Sequence, residues 1–262
     1  MPRPLVYARA AAAAVVLAAS SIASAAVVTI DNFEGATSGA SYGFRLPNFS
    51  GSTAANVGGT TASPNIQRAT NTFPAGNPNA GTMVGETQFQ FIDNTLTKWV
   101  RHTTSGATGV PNPAIDLSQP LNFDIYSTVP VSVSLLVRET GGSGPIGSNG
   151  GSTGTIEYVG ATSFAGPQGG ASAGPVGKAV PANQWTTLTF DIPNESIKGF
   201  TGNGTLDGAW GVLEGLAITS TGNPGPITIY YDNFSQGALP EPAALGLAGL
   251  GAVGLLARRR RA

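Results

Sequence analysis

Val131-Ser132-Val133-Ser134-Leu135-Leu136-Val137 decides the fold class. Apolar and small polar side chains alternate through its first half. A period of two is that of a β-strand with one face turned to a core. Upstream, Leu121-Asn122-Phe123-Asp124-Ile125 alternates in the same way, and downstream so does Trp185-Thr186-Thr187-Leu188-Thr189-Phe190-Asp191-Ile192. Working outward, the same pattern predicts strands over 27–33, 87–92, 97–103, 155–159, 213–219 and 227–234. Gly, Pro and Asn clusters separate them, and helical periodicity is hard to find.

Composition agrees. The chain of 262 residues holds 37 Gly and 19 Pro, and only 10% of it is charged, against about 25% in ordinary globular proteins. This favours short strands and many turns over long helices, in a single domain. Nine predicted strands in one chain imply a sandwich or barrel. Glycine-rich stretches at 50–81, 141–154 and 165–180 read as long loops at the sandwich ends, the first long enough for an extra hairpin. No repeat at a fixed period argues for a β-helix or propeller.

There is no cysteine and one histidine, His102. Disulfide scaffolds, thiolate zinc sites, iron–sulfur clusters and Cys nucleophiles are excluded. Six of the 13 basic residues and one of the 14 acidic ones lie in the two end segments, which leaves the middle at about −6. No basic patch there suits a phosphate backbone, so nucleic acid is not an expected partner.

The ends read as addresses. In residues 1–26, Arg3 and Arg9 precede an apolar run of about ten residues, too short to span a bilayer. Ala23-Ser24-Ala25 supplies a small-residue cleavage pattern, with Ala23 and Ala25 as the recognised positions. A signal peptide, helical in its apolar part, and passage through the secretion machinery are expected. Over 240–262, Pro240-Glu241-Pro242 is followed by an uncharged run over 243–257 and then by Arg258, Arg259, Arg260 and Arg261. As a helix that run covers only ~22 Å. Its leucines still favour the inner membrane, with the arginines held on the cytoplasmic side.

This tail resembles the PEP-CTERM sorting signal of Gram-negative bacteria that make extracellular polysaccharide. The same tail is also labelled an ice-binding protein C-terminal domain, a label that describes the tail alone. The resemblance implies transient membrane anchoring and processing near Pro240-Glu241-Pro242 by an exosortase, with delivery to the cell surface or matrix.

Between the ends, 27–239 opens with Ile30-Asp31-Asn32-Phe33-Glu34 and closes with Tyr230-Tyr231-Asp232-Asn233-Phe234. The two signatures are near-identical, and in a jelly roll, where the chain ends commonly lie close together, these first and last strands would be neighbours. With Asp116-Leu117-Ser118, the 121–125 strand and the 185–192 strand, they resemble galactose-binding-like jelly rolls, in particular carbohydrate-binding modules of the family 11 and CIA30-like kind. The expected fold is therefore all-β: a single jelly-roll β-sandwich with long Gly-rich loops, flanked by the signal helix and a short hydrophobic C-terminal helix.

Candidate chemistry follows. If the terminal strands are neighbours, Asp31, Glu34 and Asp232 offer hard oxygen ligands for a structural calcium ion, which the related modules often hold. The alternative is that Asp31-Asn32 and Asp232-Asn233 cap turns. Flat rings stack on sugars, and Trp99, beside Arg101 and His102, and Trp210, flanked by small residues, are the ligand-contact candidates, with Arg101 as their polar neighbour. Trp185 reads as core. Glu86, Asp93, Glu139 and Glu157 are not paired by spacing as a glycosidase requires; Glu139 and Glu157 flank a loop near Arg138 and read as a solvated hairpin edge. A triad would need His102, and no Gly-x-Ser-x-Gly surrounds a serine.

The expectation is an exported surface or matrix protein whose jelly-roll domain is non-catalytic and binds polysaccharide. The alternatives are a structural or adhesive matrix protein and a glycan-active enzyme.

Overall fold

The computed structural model describes residues 26–34, 43–58, 67–70, 73–78, 81–92, 98–104, 111–141, 144–165, 174–220 and 225–238. Ala23, Ala25, Asp93, both predicted end helices, Pro240-Glu241-Pro242 and the four terminal arginines lie outside the described residues. Among the described residues no helix is long and apolar enough to cross a membrane.

The strands are β1 (Val28–Asp31), β2 (Gln67–Thr70), β3 (Met83–Phe89), β4 (Lys98–Thr103), β5 (Ala114–Asp116), β6 (Leu121–Ser127), β7 (Val131–Arg138) and β8 (Ile156–Val159). Then come β9 (Ser163–Ala165), β10 (Gly174–Val176), β11 (Lys178–Val180), β12 (Trp185–Phe190), β13 (Ile197–Gly199), β14 (Trp210–Ser220) and β15 (Ile227–Gln236). Each of the nine predicted strands is present. The six others are three or four residues long, too short to show a period of two.

Two antiparallel sheets form a sandwich. The first runs β12-β6-β15-β3-β2, with β1 also paired to β15; the second runs β13-β8-β7-β14-β4, with β11 on β7 and β5 on β14. β1 and β15 are indeed neighbours, Thr29 opposite Ser235 and Asp31 opposite Phe234. Inner-face residues of both sheets make one core, with Phe123, Ile125, Phe190 and Ile229 from the first and Val133, Leu135, Leu216 and Ile218 from the second. Each such side chain contributes roughly 1.5–3 kcal/mol of burial free energy.

The glycine-rich stretches do not all sit at the sandwich ends. β2 lies within the first and pairs with β3. β9 and β10 form a hairpin, and β10 lies across β14, β7 and β4 on the outer face of the second sheet. Beneath it Trp99, Leu136, Ile156, Tyr158, Ala161 and Ala217 make a second apolar cluster. This explains the unbroken Leu135-Leu136-Val137: Leu135 and Val137 face the main core and Leu136 faces the hairpin. Gly174 permits the approach, since a Cβ there would stand 2.7 Å from Thr219 Cγ2 and 3.2 Å from Trp99 Cβ.

Candidate functional site

The outer face of the first sheet is built from the residues that alternate away from the core. Trp185 stands opposite Tyr126, Tyr126 opposite Tyr230 and Tyr230 opposite Glu86. The result is one transverse row over β12, β6, β15 and β3, and all four residues are half-buried. Ring centroids lie 5.8 Å apart for Tyr126–Trp185 and 6.0 Å for Tyr126–Tyr230. The indole N–H of Trp185 donates to Pro74 O at 2.8 Å, and Phe73 meets the indole edge-on. Gln88 Nε2 donates to Glu86 Oε1 at 2.7 Å. The Tyr230 hydroxyl titrates above its ordinary range because it is partly desolvated, with Glu86 and Tyr126 adding to the effect.

Beside this row lies an acidic one. Thr187, Asp124 and Asp232 are opposite one another in turn. Thr187 Oγ1 donates to Asp124 Oδ1 at 2.5 Å, and Asn233 Nδ2 to Asp124 Oδ2 at 2.9 Å. Asn77 Nδ2 donates to Asp232 Oδ2 at 2.6 Å, and the Asn233 backbone N–H to Asp232 Oδ1 at 2.8 Å. Asn233 adopts a left-handed φ of 54° at a bulge in β15, which brings its backbone and its side chain to one carboxylate each. Asp232 is pushed up to about 6, first by desolvation and then by Asp124 and Glu34, against the hydrogen bonds from Asn77 and Asn233.

The expected calcium trio does not assemble as one ligand set. Asp31 Oδ1 accepts from the Phe33 N–H at 2.9 Å and lines a separate small cavity with Phe44 and Phe234. Glu34 accepts from Thr82 Oγ1 and the Met83 N–H at 2.8 and 2.9 Å. Among the described residues no group of three or more acidic or imidazole side chains is placed to hold a metal ion.

Residues 238–261 match the family described as the PEP-CTERM protein-sorting motif. The chain carries an exosortase sorting signal. The PEP-CTERM motif implies an exported protein sorted to the cell surface and processed by an exosortase. Pro240, Glu241, Pro242 and Arg258 to Arg261 all lie within the matched segment. No curated protein is significantly similar to this chain.

The remaining candidates move. Trp99 is fully buried in the second cluster, edge-on to Tyr158 and Phe200, because the β9–β10 hairpin covers it; it is not a ligand platform. Trp210 is half-buried and opens β14 opposite Asp116, rather than tipping a loop. Trp185, read as core, is on the outer face: it is odd-numbered, while its core neighbours Leu188 and Phe190 are even. His102 is completely buried, stacked on Phe44 with ring centroids 4.9 Å apart and its Nδ1 3.2 Å from the Tyr231 hydroxyl. Burial holds its pKa down to about 3. Glu157 is buried beneath the loop carrying Gly202 and Gly204 and accepts from the Gly204 N–H at 3.1 Å. Glu139 is bonded to Thr155 and to the Asp207 N–H. Arg138 pairs with Glu214, on β14, rather than with either hairpin acid. Arg101 joins that same pair.

Proposed function

We propose that the domain of this exported PEP-CTERM protein is a non-catalytic polysaccharide-binding jelly roll, acting at the surface or in the matrix of a Gram-negative cell, and that its glycan lies across the first sheet. The row Trp185–Tyr126–Tyr230 carries the reading. Strands ~4.8 Å apart give three adjacent aromatics a span of about 10 Å, comparable to two pyranose rings. Rings of this type present an apolar face with a polar tip, and Glu86 and Gln88 alongside supply acceptors and donors for sugar hydroxyls.

The non-catalytic assignment draws support from the acidic row. A glycosidase needs two carboxylates facing a cleft, about 5–10 Å apart. Asp124 and Asp232 are close but are each 1% exposed, and protein donors bond all four of their oxygens. They stiffen the sheet below the row. The test is affinity electrophoresis of the chain through gels containing different polysaccharides, with calcium and then with chelator. Selective retardation that persists in chelator is the expected result. Free migration on every glycan would favour a structural matrix protein instead.

A further inference from the structure

Arg101 on β4 and Arg138 on β7 flank β14, which pairs with both strands and carries Glu214 between them. Glu214 Oε1 receives Arg101 Nη2 at 2.5 Å and Arg138 Nη2 at 3.4 Å, while Oε2 receives Arg101 Nε at 3.4 Å. The Glu214 side chain is only 4% exposed, and both guanidiniums remain partly open to solvent. Together they line a polar pocket of about 290 Å³ on the second sheet, with Ser50, Gly51, Asn112 and Ser152 on its walls and Phe49 at its rim.

Two guanidiniums against one carboxylate leave a net positive charge in a domain that is otherwise acidic. A single arginine would pair Glu214; the second makes an excess. Arg138 donates only to Gly154 O and Glu214, and its buried Nε–H has no hydrogen-bond partner. Both arginine side chains keep part of their surface open to solvent, and a planar guanidinium is shaped for a carboxylate. Phe49 is 52% exposed, with the Arg45 guanidinium 5.1 Å from its ring centroid, so a third basic residue stands at the rim. The geometry points to a second binding site, on the sheet opposite the aromatic row, that takes the carboxylate of one uronic acid residue. The carboxylate meets Arg138 and Arg101, and the pyranose lies against Phe49 and the small polar wall residues.

The test is calorimetric titration of the full chain, in a non-ionic detergent without sugar headgroups, with trigalacturonate and with its methyl ester. Both share one sugar backbone, and the ester replaces each charged carboxylate with a neutral, methylated one. The free acid is expected to bind at least tenfold more tightly than the ester, with a preference that weakens as salt rises. Arg138→Gln should bring the ratio to about one. So should Gly51→Glu, which places a carboxylate in the pocket at a position where a Cβ meets nothing within 4 Å; this variant keeps the test open if Arg138→Gln fails to fold. The ratio separates this site from the Trp185 row, whose loss weakens both ligands alike. Equal binding of acid and ester, binding of neither, or a preference that survives both substitutions would overturn the site. So would sulfate competing as strongly as monomeric galacturonate, which would mark an adventitious anion only.

Discussion

Asp124 and Asp232 face each other across β6 and β15, and one residue, Asn233, bonds both: its amide side chain to Asp124 Oδ2 at 2.9 Å and its backbone N–H to Asp232 Oδ1 at 2.8 Å. Burial disfavours the charged form of Asp232 most, the like charge of Asp124 directly opposite adds repulsion, and together they have a titration consequence. Asp232 ordinarily titrates at 3.8 but is held near 6 in the fold. Between those values the native state binds more protons than the unfolded chain, so this group lowers stability as pH rises from about 4 to 6. Asp232→Asn should therefore raise Tm at pH 7.5 by roughly 2–4 °C, on the order of 1 kcal/mol. A fall in Tm, measured by calorimetry, would show that the Asn77 and Asn233 bonds outweigh the cost of burying this charge beside Asp124.

The same four carboxylate oxygens are already bonded by protein donors. Tm should accordingly be the same in millimolar calcium and in chelator, by differential scanning fluorimetry. A calcium-dependent rise of several degrees would restore a structural ion to this end of the sandwich.

His102 titrates in the opposite sense. Its pKa falls from 6.5 to about 3 on burial, so the unfolded chain takes up a proton first and stability is lost as pH drops from about 6.5 towards 3. The slope approaches ~1.4 kcal/mol per pH unit. In the wild type Asp232 offsets it between pH 4 and 6. Urea unfolding of Asp232→Asn at pH 7 and pH 5 should therefore show a steeper acid loss than the wild type, and adding His102→Phe should flatten it. An unchanged acid loss in the double variant would remove His102 from the account.

Two tryptophans should separate cleanly. Trp99→Ala opens a cavity under the β9–β10 hairpin and should cost about 3–5 kcal/mol, with Phe200 and Tyr158 losing their ring contacts. Trp185→Ala removes a half-buried outer-face ring and should cost far less stability while weakening glycan retention about tenfold. Melting curves and gel mobility of the two variants decide the matter; the reverse pattern would exchange their roles.

How far the sequence carries can be traced through these residues. The long strands were legible because alternation over six or more residues has no good helical alternative, and the expectation that the ends of a jelly roll lie side by side agrees with the pairing of β1 and β15. Parity within the 185–192 strand would also have put Trp185 outside, opposite to Leu188. Trp99 and Leu136 were not legible in this way. Both lie on an outward face that becomes interior only because a Gly-rich hairpin from far along the chain folds over it, and nothing near either residue encodes that cover. Likewise Asp124 gains its partner through a bulge at Asn233, and Glu214 gains Arg101 and Arg138 from two different strands. Pairings made by the sheet register are invisible to local spacing.

The most direct test of the central claim compares the full chain with Tyr126→Ala/Tyr230→Ala on gels containing the producing cells' own exopolysaccharide, with matched melting curves as the folding control. The account predicts strong retardation of the wild type and near-free migration of a folded double variant. Equal retardation of both, or none for the wild type on that polysaccharide, would contradict a glycan-binding role for the first sheet.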